Sequence, residues 1–154
     1  MAPGPRTPAT TILSLRDGRE PVAYLVSISD PARTVAIPIP RGRELFGWRR
    51  RRDYLPPLDE TGDHVESVQW IIETDGVTAS VLDAASTDGS FLFRAACPPP
   101  PGRLELRRVG ALPGAQALLH PSALGGQVPP PTPLHDGDYL VSVWATLRFE
   151  LAGR

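Results

Sequence analysis

Two stretches of this chain carry side chains suited to gripping another molecule. The first is Trp48 followed by Arg49-Arg50-Arg51-Arg52, an indole beside four guanidinium groups. Guanidinium forks hold carboxylates and phosphates through paired charge-assisted hydrogen bonds. The second is Asp83-Ala84-Ala85-Ser86-Thr87-Asp88-Gly89-Ser90, a polar turn between apolar segments. Its Asp, Ser and Thr side chains can bond nearby backbone amides, and Gly89 supplies a residue at ease with positive φ. Ser67 lies between these stretches and offers one more hydroxyl. This is the chemistry of holding a partner by hydrogen bonds and charge, not of making or breaking covalent bonds.

The competing plain readings are structural. Arg49 to Arg52 are balanced by Asp53, Asp59, Glu60 and Asp63, as on a solvated loop. Ser67 can serve a strand edge, and Asp83 and Thr87 can organise the turn itself. Asp136 and Asp138 form a carboxylate pair on paper, but Asp136-Gly137 reads as a turn.

Signs of catalysis are lacking. His64, His120 and His135 fall at scattered positions, and Cys97 is the only cysteine, so the spacing suggests no metal site. Pro98 to Pro101 follow Cys97 directly and no histidine is close in sequence. No glycine-rich phosphate loop, nucleophile elbow or catalytic carboxylate pair is present. The expectation is a protein that is not an enzyme and uses no cofactor or metal. Net charge is −1 at pH 7, which gives no overall pull toward nucleic acid. All 16 basic residues are arginine, in keeping with a GC-rich bacterial genome. A single cysteine, a start without an apolar run and no stretch of about 20 apolar residues point to a cytoplasmic protein without membrane spans.

The elements that must position these residues are short strands. The chain has 154 residues, 19 of them proline and 14 glycine, a composition that disfavours long helices. Residues 1–20 read as a flexible tail, loosest over Met1 to Thr10. Pro21 to Ser29 alternates, with Val22, Tyr24, Val26 and Ile28 on one face. Asp30-Pro31 breaks it. Val35, Ile37 and Ile39 then alternate with Ala36, Pro38 and Pro40, a pattern for an edge strand or an irregular one. Val65 to Glu73 places Val68, Trp70 and Ile72 on one face. Asp75-Gly76 signals a hairpin into Val77, Ala79 and Val81.

Residues 94–133 read as a Pro-rich insertion, mostly a long irregular loop. It holds one strand near Arg103 to Val109 and one helical turn near Ala115 to His120. Pro98 to Pro101 and Pro129 to Pro131 are either stiff spacers or ligands for aromatic grooves. Tyr139 to Leu151 closes the chain as one long or two short strands, with Tyr139, Val141, Leu147, Phe149 and Leu151 in phase. Trp70 and Trp144 belong to the core. Turns at this spacing predict an all-β antiparallel sandwich over residues 21–152.

The order of motifs resembles the forkhead-associated (FHA) family. Phe46-Gly47-Trp48 is similar to its Gly-Arg element, and Ser67-Val68-Gln69-Trp70 to its Ser-x-x-His element. Asp83 to Phe91 resembles its Asp-x-x-Ser-Thr-Asn-Gly-Thr-Phe turn. Leu134-His135-Asp136-Gly137-Asp138 resembles its Leu-x-x-Gly-Asp. The resemblance implies a β-sandwich that binds phosphothreonine peptides through loops at one end. It also implies a partner surface at Trp48, Arg49, Arg50, Ser67, Thr87 and Asp88.

Trp48 stands where the family has its phosphate-contacting arginine, Asp88 where it has asparagine, and Trp70 where it has histidine. Losing the arginine removes a bond of about 1.5–3 kcal/mol, tenfold or more in affinity. The expectation is therefore a protein or peptide partner bound without phosphate. Two alternatives stay open: phosphothreonine recognition with Arg49 and Ser67, a bulge turning Arg49 inward, and a structural subunit of a larger assembly. The oligomeric state is left open.

Overall fold

The computed structural model describes residues 10–15, 17–28, 34–46, 54–55, 70–84, 89–102, 104–118, 127, 130–142 and 146–153. It is nearly all β, two sheets packed as a sandwich. The larger sheet has seven strands. They are β1 (Thr11–Ile12), β3 (Pro21–Ser27), β4 (Val35–Pro40), β9 (Phe91–Phe93), β10 (Gln116–Ala117), β12 (Tyr139–Val141) and β13 (Thr146–Leu151). Their order is β1-β4-β3-β13-β12-β9-β10, antiparallel throughout except for β1 against β4. The second sheet holds β5 (Gly42–Phe46), β7 (Trp70–Thr74), β8 (Ala79–Asp83) and β11 (Thr132–Pro133), in the order β11-β8-β7-β5. A two-residue ladder joins β2 (Ser14–Leu15) to β6 (Tyr54–Leu55).

One apolar core lies between the sheets. Leu25, Ile39, Leu140, Leu147 and Phe149 come from the large sheet; Phe46, Trp70, Ile72 and Val81 come from the small one. Burying side chains of this size contributes roughly 1.5–3 kcal/mol each before the entropy of ordering them is subtracted. A second, smaller cluster sits at Phe93, Val109 and Val141, with Leu104, Leu106 and Leu112 packed against it.

The β3–β4 and β7–β8 hairpins form as the sequence predicts. In β4, only Val35 and Ala36 pair with β1, so Pro38 and Pro40 fall beyond that pairing, where no ladder donor is needed. The face of β3 is the opposite of the one expected. Ala23 and Leu25 enter the core, and Tyr24 lies on the other side, cross-strand from Pro38. Both phases of β3 are apolar, so the register with β13, which sets Leu25 beside Phe149, decides the matter.

The predicted tail over residues 1–20 also needs correction. Within it, β1 and β2 join the sheets, and Leu13 and Leu15 are buried in the core. Within segment 94–133 the described residues differ from the expected elements. Leu106–Val109 forms a single-turn helix, α1, where a strand was expected, and Gln116–Ala117 is strand β10 where a helical turn was expected. Leu140 and Leu147 are cross-strand partners facing the core, while Tyr139 and Val141 face the second cluster. The β12 phase is therefore the reverse of that expected, because β12 is covered on both sides. Trp144 lies outside the described residues.

The β7–β8 turn has a titration consequence. Asp75 Oδ1 accepts the amides of Thr78 (2.7 Å) and Val77 (2.8 Å) and the Thr78 hydroxyl (3.3 Å). Gly76 takes φ +91°, which L side chains rarely adopt, and a Cβ there would crowd Val22 Cβ at 3.2 Å. The Thr78 amide first, then the Val77 amide, hold the Asp75 carboxyl below the usual aspartate value. A depressed carboxylate adds stability above its unfolded pKa, and that stability disappears as pH falls through the folded midpoint. We expect an NMR titration to place the Asp75 midpoint below that of an unstructured aspartate. We also expect any stability gap between wild type and Asp75→Asn to close on acidification. A midpoint at the unstructured value would contradict this.

Candidate interaction site

The register of the small sheet puts Phe46, Trp70 and Asp83 in one row across β5, β7 and β8. The connection 47–69 leaves the sheet beside Phe46 and returns at Trp70. The connection 84–90 leaves at Asp83 and returns at Phe91. Three of the four motif-bearing stretches named above therefore start or finish at one end of the sandwich. The large sheet contributes connections 28–34 and 142–145 there, because Ser27 pairs with Val35 and with Leu147, and Val141 pairs with Thr146. The other end holds the Asp75 turn beside Val22 and the Leu134–Asp138 turn, whose Leu134 amide bonds the Ala79 carbonyl.

A buried chain of hydrogen bonds ties the small sheet to Ser90, the residue just before β9, at the first end. Trp70 Nε1–H donates to Ser90 Oγ at 3.0 Å, and the Ser90 hydroxyl donates to Asp83 Oδ2 at 2.6 Å. All three side chains are 1–2% exposed. Burial of an indole N–H, a hydroxyl and a carboxylate is tolerable only because each finds a partner. The Ser90 carbonyl also accepts the Leu118 amide, at 2.9 Å. Gly89 takes φ +77°, the left-handed conformation expected of it in this turn. The roots of the 84–90 connection are thus fixed by β7, β8 and the residue after β10.

The sequence singled out Asp83 as a turn organiser, and its carboxylate does hold the far root of that turn through Ser90. The role of Trp70 was only half legible. Its place in the core followed from alternation with Ile72, but its bond to Ser90 spans 20 residues and no local pattern encodes it. The predicted partner-binding residues Trp48, Arg49, Arg50, Ser67, Thr87 and Asp88 all lie outside the described residues. Their nearest described neighbours in the chain are Phe46, Tyr54, Trp70 and Gly89, of which Phe46 and Trp70 belong to the row.

At the opposite end, Asp138 is 2% exposed and works as a strut. Its Oδ2 accepts from Arg94 Nη1 at 2.5 Å and from the His135 amide at 2.8 Å, and its Oδ1 accepts from the Ala95 amide at 3.2 Å. Arg94 Nη1 also donates to the Pro133 carbonyl at 2.9 Å. The neighbouring Asp136 accepts the Leu151 amide at 2.7 Å. Both carboxylates are therefore committed to backbone, which is the turn role expected of them. Among the described residues no group of three His, Cys, Asp or Glu side chains is placed to hold a metal ion. No helix among them is long and apolar enough to cross a membrane.

No family model and no curated protein matches this chain.

Proposed function

We propose that this chain is a protein-interaction module of FHA type that grips a partner polypeptide at the end where β5 and β8 finish and β7 begins, without requiring phosphate. The observation that carries this reading is the Phe46–Trp70–Asp83 row, locked by the Trp70–Ser90–Asp83 hydrogen bonds. A rigid sheet end that fixes the roots of two polar connections is the scaffold on which recognition loops are commonly carried. The order of motifs along the chain supports the family. The residues that replace the family's arginine and asparagine, Trp48 and Asp88, support independence from phosphate. An indole offers a broad apolar surface in place of a guanidinium fork, and a carboxylate repels a phosphate dianion.

The test is selection from a displayed peptide library, run in plain and threonine-phosphorylated forms. Enrichment of the same peptides from both forms is expected. Trp48→Ala should weaken the selected peptide about tenfold, as loss of an aromatic anchor does. Val77→Ala, at the opposite end where Val77 is 78% exposed, should leave binding unchanged. Enrichment confined to the phosphorylated form, lost in Arg49→Ala and Ser67→Ala, would replace this reading with phosphothreonine recognition. No enrichment from either form would overturn the module itself.

A further inference from the structure

We draw no further inference here: the strongest candidate, the open cleft of about 470 Å³ that residues 12–15 and 18–21 form against Tyr24 and Pro38, carries nothing, because its lining guanidinium, Arg19, is already held by Asp17 and Glu44 and nothing in the structure shows what covers it.

Discussion

Trp70→Ala should lower the stability of this domain by about 3–5 kcal/mol, the range for emptying the site of a fully buried large aromatic. The indole is the largest fully buried side chain among the described residues, 1% exposed between Phe46 on β5 and Asp83 on β8. Its removal opens a cavity between the sheets and takes the N–H donor from Ser90. The denaturation midpoint should fall while the slope of the transition stays the same, the mark of lost stability without a changed unfolded state.

Smaller substitutions separate the two contributions. Trp70→Phe keeps most of the ring and deletes the Nε1–H. Ser90→Ala deletes the hydroxyl that accepts from Trp70 and donates to Asp83. Each should cost about 1–3 kcal/mol, since a buried polar group loses a partner. Their double mutant should cost less than the sum, because both remove the same bond, with a coupling of about 0.5–3 kcal/mol. If Trp70→Ala costs less than about 1 kcal/mol, the row is not the keystone of this end. If the double mutant is additive, the Trp70–Ser90 bond has no energetic weight. Under the proposed function the two milder variants should also weaken the selected peptide, because they loosen the root of the 84–90 connection.

The parts of this architecture that were legible in the sequence are those written in local pattern. Asp75-Gly76 between alternating apolar residues named a hairpin, and Val35, Ile37 and Ile39 named a core face. The parts that were not legible are settled by contacts far along the chain. Residues 21–27 are apolar on both phases, so periodicity favoured the larger Val22, Tyr24 and Val26. The pairing of β3 with β13 instead turned Ala23 and Leu25 inward. Tyr139-Leu140-Val141 is apolar on both phases for a different reason. The core lies on one side of it and the cluster beneath α1 on the other.

Two-residue strands such as β1 and β2 are too short to show any period, which is why residues 11–15 read as tail. In the candidate site, Asp83 and Gly89 were legible because turn chemistry is local. The Trp70–Ser90 bond was not, because it joins β7 to a connection residue 20 positions along the chain.

The same contrast governs the second large effect, at the opposite end of the sandwich. Asp138→Ala should cost about 3 kcal/mol. Asp136-Gly137 announces a turn, but nothing near it announces Arg94, 44 residues earlier, whose guanidinium meets the buried carboxylate. Removing one member of a buried pair costs about 3–5 kcal/mol, chiefly because the remaining charge is left without compensation. Here Arg94 keeps 37% of its side chain exposed and can turn toward water, which puts the effect at the lower end.

The amides of Ala95 and His135 lose their acceptor with the carboxylate. They should therefore show the largest local loss of hydrogen-exchange protection. Asp138→Asn, which keeps the shape and one acceptor oxygen but places an NH2 where the second stood, should fall between wild type and alanine. Because the carboxylate is buried, the cost should persist in about 1 M salt, where an exposed ion pair would be screened away. A cost that vanishes in salt, or protection lost evenly over the whole domain, would show that Asp138 acts as an ordinary surface charge. It would then not be the strut that ties the segment after β9 to the turn before β12.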